Sequence, residues 1–299
     1  MSSRKQSSLE VLINLGWYLT LFLIKTQGGR DMVHRYVKDR LLSSKRLDSY
    51  KAVFSPGTDA ELLGSYLWGC NAVGAIYPLA SHVEVALRNS VDTALTRALG
   101  TFWWSTSTLH YKSYVAGAPV PDAVKLVRDK FSEATKAYKK AEAEKLGCEP
   151  NLIVPTHEGV ISKTLFFTWE AILDDEFSAR SLIWPSHLGR VFAGPWPSTS
   201  ATNTRHRARD LVQVVRTFRN RLSHHEPAWK RYGVHSPQDA FDVLKEKIDR
   251  MESLLKLIHP SAFEFVDKAG FFEAARYASS ESALRQAQCL AKAHSLNEG

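Results

Sequence analysis

Apolar residues recur three and four positions apart along most of the chain, the period of a helix with one buried face. Ala208, Leu211, Val215, Phe218 and Leu222 form one such stripe. Pro227 ends the helix that carries it, because the residue before a proline is pushed out of the α region. Val83, Leu87, Val91, Ala94 and Ala98 form a second stripe, with Gly100 as its stop. A third follows Pro121: Val124, Val127, Phe131, Ala134, Tyr138 and Ala141 repeat at near-heptad spacing, opposite a face rich in Lys and Glu. The fourth is Phe241, Leu244, Ile248, Met251, Leu255 and Ile258. Ser236 at N-cap, Pro237 at N1 and Asp239 in the first turn open it, and His259-Pro260 closes it. No stretch alternates as a half-buried strand does. The pattern predicts an all-α protein, a helical bundle.

Between these stripes the signals are local. Residues 32–56 read as a short helix and a loop, with Leu41, Leu42, Leu47, Tyr50 and Phe54 available for burial. Residues 62–100 read as helix that Pro78 kinks or divides. Thr101-Phe-Trp-Trp-Ser105 is an aromatic plug for the core. Val160 to Leu173 reads as one buried helix after the turn Pro155-Thr-His-Glu-Gly159. Ser198 to Thr204 offers N-caps. Beyond Ala278 the chain reads as a frayed polar tail. The expected organisation is an extension over 1–31, a helical domain over 32–275 with a helical arm at 121–146, and a tail over 276–299.

The extension holds an apolar run, Val11 to Ile24. It falls short of the roughly 20 apolar residues of a membrane-spanning helix. The following Lys25 to Arg30 lacks a small-x-small cleavage site. The reading is an upstream extension or a loosely docked helix, with no membrane partner expected.

The 299 residues are 44% hydrophobic and 11% aromatic, enough for one large core or two small ones. A net charge of +8 permits a nucleic acid or an acidic membrane as partner without requiring either. The three cysteines, Cys70, Cys148 and Cys289, lie far apart in neither a metal-ligand nor a disulfide pattern. A reducing cytoplasm is the expected setting.

Chemistry concentrates in Arg216-Thr-Phe-Arg-Asn-Arg-Leu-Ser-His-His-Glu-Pro-Ala-Trp229. A buried helix there delivers Arg219, Asn220, His224 and His225 to its own carboxyl end. A guanidinium makes two-pronged contacts with phosphate, and an imidazole moves protons near neutral pH. RNA places a 2′-hydroxyl beside each phosphate. An imidazole that takes the hydroxyl proton, with an arginine stabilising charge at phosphorus, cleaves RNA without a metal. Asn220 would orient the imidazole or bond the phosphate. Arg205, Arg207, Arg209, Arg216, Arg219 and Arg221 crowd the helix against Asp210 alone, so Arg209, Arg216 and Arg221 are candidate RNA contacts. The rival readings are a solvated basic face, and two histidines favoured by the helix dipole with Arg219 in a surface pair. His224-His225-Glu226 has metal-ligand composition without metal-ligand spacing, and no cofactor motif is present. One geometric difficulty stands out: five steps along an ideal helix put Arg219 and His224 about 140° apart. The helix must loosen there, the arginine must wrap round, or two chains must share one groove.

Arg219-Asn-Arg-Leu-Ser-His224 resembles the R-N-x-x-x-H form of the motif of HEPN-domain ribonucleases. The continuation His-His-Glu-Pro resembles the Abi-like (abortive infection, AbiD/AbiF-type) branch. Three further stretches agree in order: Lys45-Arg-Leu-Asp-Ser-Tyr50, Glu84-Val-Ala-Leu-Arg-Asn89 followed by Gly100 and Trp103-Trp104, and Pro155-Thr-His-Glu-Gly159 leading to Leu165-Phe-Phe-Thr-Trp169. The resemblance spans roughly residues 40–258. It implies a HEPN-like bundle, usually a homodimer, that cleaves RNA at a composite site with no metal or cofactor. It puts Arg219 and His224 in the catalytic places, with Asn220 and His225 supporting. Glu84, Arg88 and Asn89 are expected to line the same cleft. It further implies phage defence or a toxin-like role, with an antitoxin or a phage-derived trigger as partner. Where nucleotidyltransferase-silenced HEPN toxins carry a tyrosine two residues after the histidine, this chain has Glu226. The competing reading is a catalytically silent HEPN-like module that binds RNA or protein.

Overall fold

A computed structural model describes residues 36–115 and 117–296, so the run Val11 to Ile24 and Met32 lie outside the described residues. The helices are Ser44–Phe54 (α1), Asp59–Leu99 (α2), Asp122–Leu146 (α3), His157–Ser162 (α4), Phe166–Ala171 (α5), Leu188–Val191 (α6), Ala201–Ser223 (α7), Pro237–Ile258 (α8), Pro260–Lys268 (α9), Phe271–Ala278 (α10) and Glu281–Leu296 (α11). Among the described residues no strand forms, and one isolated bridge joins Ser178 and Trp184. The chain is all-α. It divides into two compact units, one containing residues up to Leu79, Asn220–Ile248 and Asp267 onward, the other Ala80–Arg219 and Asp249–Val266.

The first unit is built on aromatic edges. Tyr50 and Phe54 of α1 meet Trp229 edge-on at 5.3 and 5.2 Å between ring centroids, and Phe54 meets Trp68 of α2 at 5.2 Å. Such pairs align a ring's positive edge with its neighbour's negative face. Leu41, a candidate core residue, is instead exposed. Ser236 and Asp239 cap α8 reciprocally: the Asp239 N–H donates to Ser236 Oγ at 3.2 Å and the Ser236 N–H to Asp239 Oδ2 at 2.9 Å. The expected tail is a docked helix. Leu284 and Ala287 of α11 are buried, and a Cβ on Gly64 would stand 2.6 Å from Gln288 Cα, so only glycine permits this approach. Gln288 Nε2 donates to Ser65 Oγ at 2.9 Å and Lys292 pairs with Glu61 at 2.5 Å. The expectation of fraying beyond Ala278 is corrected. Composition looked polar because only one narrow stripe of α11 faces the unit.

In the second unit Val83, Leu87, Val91 and Ala94 of α2 are buried, as are Ala208, Leu211, Val215 and Phe218 of α7. The expected arm, α3, lies against α4 and α5 and buries Val124, Val127, Phe131 and Ala134. Phe131 stacks flat on Trp104 at 4.5 Å. The backbone N–H groups of Ala193 and Gly194 donate to the carbonyls of Ile258 and Leu257, at 2.9 and 3.0 Å, and so satisfy the end of α8.

Of the two outcomes expected at Pro78, division does not occur: α2 runs from Asp59 to Leu99, although the proline leaves the Gly74 carbonyl without its helical donor. Residues 160–173 are not one helix. They break between α4 and α5, where Thr164 Oγ1 donates to the Ile161 carbonyl at 2.7 Å and accepts from Trp169 Nε1 at 3.1 Å. A side-chain hydroxyl that bonds nearby backbone competes with the helical ladder.

Candidate active site

The residues of the opening cluster sit where α7 ends. Helical bonding persists through His224, whose N–H donates to the Asn220 carbonyl at 3.0 Å. Then the His225 N–H turns back to the Leu222 carbonyl at 3.1 Å and the Glu226 N–H to the Arg221 carbonyl at 3.2 Å. These are the two bonds of a Schellman stop. That stop needs a left-handed residue, normally glycine, and His225 fills the place with φ 55°. The helix does not loosen before the stop.

In the first unit, His224 and His225 are both exposed and Asn220 is half-buried. Arg46 Nη1 donates to the His225 carbonyl at 2.9 Å, a cationic cap at the negative end of the helix dipole. Four residues after Arg46, Tyr50 packs on Trp229. The stretch Lys45 to Tyr50 therefore holds both ends of the segment from His225 to Trp229. Burial pushes the Tyr50 phenol above its ordinary range. Arg221 bonds the Lys230 carbonyl and pairs through Nε with Glu226 at 3.3 Å.

In the second unit, Arg219 Nη2 lies 3.0 Å from Glu84 Oε2, with the two side chains 31% and 15% exposed. Glu84 thus faces Arg219 and not Arg88 four residues on, whose Nε lies 3.4 Å from Asn89 Oδ1. The arginines before Arg219 also meet carboxylates. Arg216 Nε pairs with Glu170 at 2.5 Å while its guanidinium covers the Phe167 ring at 4.8 Å. Arg209 pairs with Asp174 at 2.9 Å, and the buried Arg205 reaches Asp175 and the Leu173 carbonyl. A hydrogen bond from His206, with Arg205 beside it, holds the Asp175 carboxyl below the usual carboxylate range. The basic density of α7 is in part a ladder that fastens it to residues 170–175.

His157, the other histidine of interest, is buried in the second unit. Its Nδ1 accepts the Phe102 N–H at 3.0 Å, which places the ring proton on Nε2, facing Asp92 Oδ1 at 3.0 Å. Trp103 Nε1 donates to the same Asp92 oxygen at 2.9 Å, and Trp104 stacks on the imidazole at 4.9 Å. Thr156 caps α4 by accepting the Gly159 N–H at 3.1 Å. Glu158 is exposed, so it forms no acid–base pair within this network. The stretches around Trp103-Trp104 and Thr156-His157 are joined by structure, through Asp92.

Asp92, Glu170 and the cap by Arg46 escaped sequence reading. Each is an ordinary residue in its own helix, and its partner lies far along the chain. Among the described residues no group of three or more His, Cys, Asp or Glu side chains is placed to hold a metal ion, and no helix is long and apolar enough to cross a membrane. Compared with protein-family models, curated proteins and solved structures, the chain finds no match.

Proposed function

We propose that this chain is a metal-independent endoribonuclease of the Abi-like HEPN type, acting as a homodimer in cytoplasmic phage defence or as a toxin. The observation that carries the reading is the end of α7, where an exposed His224 is held by a Schellman stop on the helix that also bears Arg219. His224 takes the proton of a 2′-hydroxyl as that oxygen bonds to the adjacent phosphorus. The bond from phosphorus to the 5′-oxygen breaks, that oxygen receives a proton, and a 2′,3′-cyclic phosphate remains. Arg219 stabilises the charge that builds on the phosphoryl oxygens. Five steps along an ideal helix point the two side chains apart, which favours a homodimer. Arg219 of one copy then serves with His224 of the partner subunit, and a second imidazole can protonate the departing oxygen. Asn220 and His225 support the imidazole, and Glu84, Arg88 and Asn89 line the arginine's side. Phosphate must compete with Glu84 for Arg219, which suits an enzyme held idle until an antitoxin leaves or a phage-derived trigger arrives.

The Glu84–Arg219 pair and the ladder below it also favour one alternative, a catalytically silent HEPN-like module that binds RNA or protein. The two readings separate in one assay. The purified full chain is incubated with mixed RNA in EDTA, beside His224→Ala. Cleavage by the wild type that the variant loses supports the enzyme. RNA bound and left intact by both supports the silent module, and equal cleavage by both contradicts the assignment of His224.

A further inference from the structure

Among the large hydrophobic side chains of the described residues Tyr232 is the most exposed, at 104% of its reference surface. It does not sit on a loose loop. It occupies a turn in which the Val234 N–H reaches the Arg231 carbonyl at 3.4 Å and Gly233 takes φ 85°, the left-handed conformation that the third position of a type II turn requires. The turn is fastened on both sides. Before it, Ala228 and Trp229 are buried, the Lys230 N–H donates to the Pro227 carbonyl at 3.0 Å, and Arg221 of α7 bonds the Lys230 carbonyl. Arg231 pairs with Glu246 of α8 at 2.9 Å, and the His235 N–H donates to Asp239 Oδ2 at 3.0 Å. A ring left in water on a fastened turn forgoes the burial that aromatic side chains ordinarily gain. Lys230 and Arg231 flank it, and His224 and His225 are exposed earlier in the same connection between α7 and α8.

We propose that Tyr232 is a base-stacking residue that selects single-stranded RNA. This rests on the ribonuclease reading of His224 and names the substrate class for that site. A single strand offers an unstacked base to an aromatic face, whereas a duplex keeps its bases paired and stacked. Every base has a π-face, so the contact tolerates any sequence. Lys230 supplies attraction to the neighbouring phosphates, and Arg221 ties the start of the turn to the last turns of α7, keeping the platform beside the end that carries His224.

The test uses full-length His224→Ala protein, so that RNA survives, and fluorescence anisotropy with a labelled single-stranded RNA and the same strand annealed to its complement. Adding Tyr232→Ala weakens single-strand binding about tenfold and leaves duplex binding unchanged. Tyr232→Trp retains single-strand affinity, and its fluorescence is quenched by the strand. An unchanged thermal midpoint in each variant verifies that the turn is intact. If Tyr232→Ala binds the single strand as well as its parent does, the stacking role is overturned while the ribonuclease reading stands. An equal loss on single strand and duplex also overturns it, in favour of a general effect on charge or loop shape. If the wild type neither binds nor cleaves any RNA, the ribonuclease reading falls and the stacking role falls with it.

Discussion

His157 and His224 are the same residue put to opposite uses. The imidazole of His157 is sealed beneath Trp104, with one nitrogen accepting the Phe102 N–H and the other facing Asp92. Protonating Nδ1 would break the bond to Phe102, so this ring is fixed in one tautomer and holds α4 to the Trp103-Trp104 plug. His224 stands exposed at a helix end, where a substrate can reach it. A histidine beside an aspartate resembles a catalytic pair in composition. Burial and full satisfaction make it a strut, and exposure on a fastened backbone leaves the other available for the proposed reaction.

The contrast breaks most sharply by removing each ring in turn. His224→Ala is expected to lower RNA cleavage by about 100- to 10,000-fold with no change in the urea midpoint of unfolding. His157→Ala should do the reverse. It strands the Phe102 N–H, removes one of the donors to Asp92 and opens a cavity under Trp104, so urea denaturation should show a loss of about 3 kcal/mol. A stable His157→Ala protein would refute the structural assignment.

The arginine ladder sharpens the same division. Glu170→Ala leaves Arg216 without its carboxylate in a mostly buried setting, and unfolding should cost about 2 kcal/mol less. A gain of RNA affinity with no loss of stability would show instead that Arg216 serves RNA. The smallest effect belongs to His225→Gly. Glycine accepts the left-handed conformation without strain, so stability should rise by about 1 kcal/mol by the same denaturation assay. Cleavage that falls in this more stable variant would show that the imidazole of His225 supports the reaction.

Much of the architecture was legible in the sequence. The stripes of α2, α3, α7 and α8 are mostly buried where the three-four spacing put them, with Ala98, Tyr138, Ala141 and Phe241 half-buried, and the Ser236–Asp239 cap and the stop before Pro227 follow from local chemistry. Signals failed where a side-chain bond or a partner elsewhere in the chain overrides the helical pattern. Thr164 breaks the run 160–173 through its own hydroxyl, and α11 forms because Gly64 lets it approach. At the site, the delivery of His224 to the carboxyl end of α7 follows from the helix pattern, which leaves open whether the helix loosens there. The pairing of Glu84 with Arg219, and of Glu170 and Asp174 with the basic face, does not. A helical pattern shows which residues share a face, and carries no record of which carboxylate elsewhere in the chain will meet it.

The central claim is that His224 starts an attack by the RNA's own 2′-hydroxyl. Its most direct test is to characterise the ends left on RNA by the wild type and by His224→Ala in the presence of EDTA. The account predicts fragments ending in a 2′,3′-cyclic phosphate from the wild type and intact RNA from the variant. Fragments with 3′-hydroxyl ends, or cyclic ends made equally well without His224, would contradict it.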